Sequence, residues 1–171
     1  MRKVVAALGL AVVVSGCASM GDMQSSFSDL TTSSLVGTWV GDFQCQNLPY
    51  RHHVIITFKQ SFMPLVAEGQ HYGMLTYPDS RKPNYAVIQV DGEMNLTGVS
   101  HIREKSWIVK PAGNWHLEPW QGKRISADRM DMRMGEKCKS PATLTKVSDE
   151  FITELRPEVV FREYQEHFTK K

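Results

Sequence analysis

Short runs of alternating apolar and polar residues, broken repeatedly by Pro, Gly, Asn and Asp, constrain this chain more than any other feature. They extend from Leu35 to about Val147. Successive side chains of a strand point to opposite faces, so alternation marks a half-buried strand. Leu35, Gly37, Trp39, Gly41, Phe43 and Cys45 share one face of the first run. Val54, Ile56 and Phe58 share one face of the second, His53 to Lys59. Further runs cover Val66–Tyr77, Tyr85–Met94, Gly98–Val109, Asn114–Trp120, Arg124–Met134 and Ala142–Val147. Pro49, Pro78, Pro83, Pro111, Gly113, Gly122, Gly135 and Pro141 fall mainly between the runs, where turns need them. The expected fold is therefore all-β: eight antiparallel strands closing into a barrel, which removes its own edges. The interior of such a barrel is either filled by side chains or holds one small ligand.

From Ser148 to Lys171 the pattern becomes helical. Ser148 can cap a first helix, with Asp149 and Glu150 in its first turn. Phe151, Leu155 and Val159 recur at helical spacing. Arg156 precedes Pro157, which disfavours one continuous helix and suits the start of a second. There Phe161, Tyr164 and Phe168 form an apolar stripe, and Glu158 with Arg162 is a supportive i,i+4 pair. The stripe either packs across the barrel or docks a partner.

At the other end Arg2 and Lys3 precede an apolar run, Val4 to Val14, that is too short to span a bilayer. Charge, apolar run and small residues follow in the order of a cleaved signal peptide. Val14-Ser15-Gly16-Cys17 resembles the lipobox of bacterial lipoproteins. The resemblance implies cleavage before Cys17, a diacylglycerol on its thiol and a third acyl chain on its amine. Each buried methylene contributes about 0.8 kcal/mol, and more than one chain makes anchoring stable. Ala18 stands where many inner-membrane lipoproteins carry Asp, which favours the outer membrane, facing the periplasm. Residues 1–16 are thus expected to be a signal peptide and 17–34 a lipidated tether rich in Ser, Thr, Met and Gly. Residues 35–147 are the barrel and 148–171 the tail. Cleavage removes Arg2 and Lys3 and no acid, taking 20 basic side chains to 18 against 18 acidic ones. A neutral mature chain offers no electrostatic case for nucleic acid.

With Cys17 acylated, Cys45 and Cys138 remain in an oxidising compartment, where paired cysteines persist as disulfides. Cys45 ends the first strand and Cys138 precedes the last, and those strands are neighbours in a closed barrel. A bond between them would close a loop worth roughly 4–5 kcal/mol by chain entropy. No C-x-x-C or flanking His suggests a metal or redox role instead.

Met130, Met132 and Met134 alternate with Arg129, Asp131 and Arg133. Thioethers are soft ligands, so the run invites copper(I); it also reads as a strand whose methionines fill the barrel. No metal or other cofactor is expected beyond the covalent lipid. His52 and His53 are adjacent on a strand and so point to opposite faces, and His71, His101, His116 and His167 are scattered, which reads as surface or rim. Trp39, Trp107, Trp115 and Trp120 either line a pocket or plug a barrel end. The sequence has no G-x-S-x-G elbow, P-loop or H-E-x-x-H.

Gly37-Thr38-Trp39, with Gly41, Phe43 and Cys45 after it, resembles the G-x-W opening of calycin-type barrels such as lipocalins and avidins. A broader likeness, from Gly37 to Val147, is to small bacterial barrel domains that open G-T-W-x-G-x-(aromatic)-x-C and carry a W-I-x-x-P-x-G segment. Here that segment is Trp107-Ile108-Val109-Lys110-Pro111-Ala112-Gly113. The likeness implies the fold and a second cysteine near the last strand, here Cys138. Membrane-bound lysozyme inhibitors are also lipoprotein barrels, but their S-G-x-x-Y-like motif has no counterpart here.

The expectation is a membrane-anchored, non-enzymatic barrel that binds a small apolar ligand at its mouth. Candidate ligand-binding residues are Trp39, Phe43, Met130, Met132 and Met134. The alternative is an envelope interaction protein, an adaptor or enzyme inhibitor, presenting Phe161, Tyr164 and Phe168 to a partner.

Overall fold

In a computed structural model, residues 35–45, 48–63, 65–79, 82–135 and 141–168 are described. Strands β1 Gly37–Phe43, β2 Arg51–Gln60, β3 Val66–Thr76, β4 Asn84–Met94, β5 Val99–Val109, β6 Pro119–Ser126, β7 Arg129–Met134 and β8 Ala142–Ser148 follow one another along the chain. Each pairs antiparallel with the next, and β8 returns to β1, closing the barrel. Trp39 on β1 faces Ile56 on β2 and Lys146 on β8 across that seam. The expected signal peptide, Cys17, the tether and Cys138 lie outside the described residues.

The alternating positions do what the pattern requires. Trp39 and Phe43, Val54, Ile56 and Phe58, Met130 and Met132, and Leu144 share one core inside the barrel. Burying side chains of this size contributes about 1.5–3 kcal/mol each. Trp39 also satisfies its indole, which donates to the Leu35 carbonyl at 2.8 Å.

The strands differ from expectation at two places; the run expected over Arg124–Met134 is in fact the end of β6, a turn at 127–128 and β7 Arg129–Met134. The sixth strand is Pro119–Ser126, not Asn114–Trp120, and residues 114–118 form a loop at the barrel mouth. Gly122 is not a turn residue; it lies within β6 opposite Met132. A Cβ there would come within 2.0 Å of the Asp131 carbonyl oxygen and 2.4 Å of Met132 Sδ, so the glycine permits close approach of β7.

The tail has one short helix rather than two. Residues 149–156 are not helical and run along the outer wall. Side chains of the wall claim their backbone. Thr38 Oγ1 donates to the Glu150 carbonyl at 2.8 Å, Thr57 Oγ1 accepts from the Ile152 N–H at 2.9 Å, and the Tyr72 hydroxyl donates to the Glu154 carbonyl at 2.6 Å. Partners from the barrel thus replace the i,i+4 bonds of a helix. Helix α1, Pro157–Glu163, starts at the proline as expected, and a 3₁₀ turn, Gln165–His167, follows it. Val160 and Phe161 are buried with Val40, Ile55, Tyr72 and Val87, and Tyr164 and Phe168 pack against the same cluster. The apolar stripe therefore covers the outer face of β1–β4. Phe161, at 4% exposure, is not a free docking residue.

The two ends of the barrel differ. The end where β1 begins bears hairpin tips with Phe62, Met63, Leu65 and Leu96 exposed. The opposite end bears the loops that follow β1, β3 and β5.

Candidate functional site

A cavity of about 410 Å³ opens at that opposite end, the mouth of the barrel. Three polar side chains on inward positions form its floor. His52 shares the inward face of β2 with Val54 and Ile56, and His71 that of β3 with Ala67 and Leu75. Glu104 follows Ser100 and Ile102 on β5. Opposite Val90 and Gln89 the register of β5 jumps from Glu104 to Ser106, leaving Lys105 as an extra residue. Such a bulge re-aims the side chains beside it. Here Trp107 returns to the interior side, packed against the core.

Glu104 is the anchor of the site, its side chain only 3% exposed. Its Oε1 accepts from His71 Nδ1 at 2.7 Å and from Trp120 Nε1 at 3.1 Å. Its Oε2 accepts from the Glu118 N–H at 2.8 Å. Three donors compensate a buried carboxyl that would otherwise be costly. They also fix His71. The contact directs Nδ1 at Glu104 and turns Nε2 away from it.

The Nε2 atoms of both His71 and His52 are buried and have no hydrogen-bond partner among the described residues. Gly73 brings them together. A Cβ on Gly73 would lie 2.8 Å from His52 Nε2 and 3.4 Å from His71 Nε2, which places the two nitrogens within about 6 Å of each other. The same Cβ would lie 3.0 Å from Trp115 Cζ3, so glycine is what lets the indole close over the pair. The His52 ring lies 5.5 Å from that of His71 and 5.4 Å, edge-on, from that of Trp115. Burial holds His52 well below the usual histidine range, and the neighbouring His71 and His53 push it the same way. Its imidazole is neutral at neutral pH. Tyr50, His116 and Glu118 stand at the rim. The Tyr50 phenol is pushed up by burial first, then by Tyr77 and Glu118.

The residues singled out in the sequence take different places. Trp39, Phe43, Met130 and Met132 are sealed in the core and do not line the cavity. Phe43 supports the floor from beneath, its ring edge-on to Trp120 at 5.0 Å. Met134 is half-buried and lines the cavity wall. Trp39 and Trp120 plug the barrel, whereas Trp107 and Trp115 meet edge-on at 6.4 Å at the mouth. His53 points outward, as its neighbour's inward position requires, and hydrogen-bonds Asp42 at 2.5 Å and Thr76 at 3.2 Å. Cys45 is buried.

Sequence reasoning missed His52, His71 and Glu104 as a group. The available signal was parity, since each is a polar residue on the inward-facing register of its strand. Among the described residues, no group of three or more His, Cys, Asp and Glu side chains could hold a metal ion. The fold and site define a small, closed eight-stranded meander barrel with a polar-floored cavity at one mouth. The chain matches no protein-family model and no curated protein.

Proposed function

We propose that this protein is a lipid-anchored envelope barrel that holds a small ligand, without catalysis, in the cavity above His52 and His71. One observation carries the reading: two buried imidazole nitrogens lacking partners belong to histidines that line a cavity with an opening. Leaving a buried polar atom unpaired costs about 1–3 kcal/mol, so a fold that keeps two beside an open cavity has a use for them. The wholly apolar ligand expected from the methionines gives way to one with an apolar body and a polar head. The head meets the histidines and the body meets Leu75, Ile88, Trp115 and Met134.

The lipobox supports anchoring through Cys17 at the outer membrane. The barrel's polarity agrees with it: the described chain begins at Leu35, at the end bearing the apolar tips, and the cavity opens at the other end. Anchored in this way, the barrel would face its mouth away from the membrane. The burial of Cys45 supports a Cys45–Cys138 disulfide. Native mass spectrometry of delipidated protein purified from its own envelope tests the reading. A bound small-molecule mass, absent from the His52→Asn/His71→Asn variant, is expected. An apo mass alone, from protein never unfolded, contradicts it.

A further inference from the structure

The two histidines of the cavity floor have a donor arrangement that also suits a metal ion. Both unpartnered groups on the lining histidines are imidazole nitrogens, and one ring is held by a carboxylate behind it. A histidine whose other ring nitrogen is bound to a carboxylate is the usual arrangement of a metal ligand, because the carboxylate fixes ring orientation and raises basicity. His71 and Glu104 have that arrangement at 2.7 Å. His52 supplies a second nitrogen within about 6 Å of the first, across Gly73. Both rings are more than nine-tenths buried.

The donor set selects the ion. Hard cations take oxygen ligands, and both Glu104 oxygens are already occupied by His71, Trp120 and Glu118. Zinc in a closed structural site takes four protein ligands, and catalytic zinc takes three, whereas this floor has two unpartnered imidazole nitrogens. Copper(I) accepts low coordination numbers and favours imidazole and thioether. Met134 lines the same cavity as the two histidines. Met130 and Met132 are sealed in the core and take no part.

We propose that His52 Nε2 and His71 Nε2 are the protein ligands of a copper(I) site on the cavity floor. Met134 is a soft donor lining the same cavity, and the open side of the ion faces the cavity. This rests on the cavity being the ligand site, and it makes the polar head of the ligand a metal ion.

The test is anaerobic copper(I) titration of the mature chain carrying Cys17→Ser, so that no unacylated thiol at that position competes, against a chromophoric copper(I) chelator. One equivalent is expected to bind. His52→Asn and His71→Asn should each weaken it at least a hundredfold, and Glu104→Gln, which keeps the shape but weakens the support of His71, tenfold or more. Where a variant does not fold, imidazole ¹⁵N spectra of the parent decide: copper(I) should move the Nε2 resonances of His52 and His71 and leave His53 and His101 in place. Failure to bind one equivalent, full retention of it by a folded His52→Asn/His71→Asn variant, or unmoved His52 and His71 resonances each overturn the copper site. An organic adduct seen in envelope-purified protein that binds no copper overturns the copper site and leaves the cavity reading standing; the absence of both ends the two together.

Discussion

His71 Nδ1 lies 2.7 Å from Glu104 Oε1 in a pair whose side chains are 1% and 3% exposed, thirty-three residues apart in sequence. That contact joins β3 to β5 across the barrel interior and orients the open nitrogen of the site. Glu104→Ala removes the acceptor for three donors at once. It is expected to destabilise the protein by about 3–5 kcal/mol, as removing one member of a buried polar pair does. Urea unfolding measures this, and a loss under about 1 kcal/mol would show the contact to be incidental.

Gly73→Val puts side-chain atoms where the rings of His52 and Trp115 now sit. Overpacking of this kind costs about 1–3 kcal/mol. The variant should stay folded by circular dichroism and lose whatever the parent binds in the cavity. Binding unchanged in a folded variant would place the ligand elsewhere.

Most of the fold was legible because it is local. Alternation within each strand identified six strands to within a few residues, the run expected over Arg124–Met134 having merged the end of β6 with β7 across the turn at 127–128, and the closed barrel follows from the number of runs and their turns. The sixth was misplaced because Gly122 looks like a turn residue, while its reason is Met132 Sδ on a neighbouring strand. Residues 149–156 carry helical spacing and a serine cap, but Thr38, Thr57 and Tyr72 capture their backbone from other strands. The site follows the same logic. Parity places His52, His71 and Glu104 inside, yet their convergence depends on strand register and on the bulge at Lys105.

The tail is expected to be part of the folded unit. Phe161→Ala should cost about 3–5 kcal/mol, the usual loss for a buried phenylalanine. Deleting residues 157–171 should cost at least as much, read by thermal or urea denaturation. A deletion that leaves stability unchanged and removes a co-purifying protein would restore the docking role for the stripe.

Alkaline unfolding reports the seam beneath the tail. Burial, followed by Glu154 and Tyr164, raises the Tyr72 phenol well above its ordinary range. The unfolded chain therefore releases this proton first, near pH 10, and binds fewer protons than the folded chain above that pH. The stability that Tyr72 contributes is complete below about pH 10 and is lost as pH rises toward the folded value. Tyr72→Phe should flatten this decline, leaving the smaller share from Tyr50, Tyr85 and Tyr164, which are raised in the same direction. A pH–stability profile that Tyr72→Phe leaves unchanged refutes the assignment.

The exposed Phe62 and Met63 tip is expected to touch lipid. Phe62→Ser with Met63→Ser should lower the partitioning of the Cys17→Ser mature chain onto phosphatidylethanolamine–phosphatidylglycerol vesicles about tenfold, which is the low end of burying one such side chain. Sedimentation with vesicles checks it, and equal partitioning of parent and variant rules the contact out.

The account stands on two open imidazole nitrogens at the mouth of a closed barrel. Long-range ¹H–¹⁵N correlation of the histidine side chains in the ligand-free protein at neutral pH observes them directly. The account predicts that Nε2 of both His52 and His71 is unprotonated and free to bind. A proton on Nε2 of either ring would contradict it.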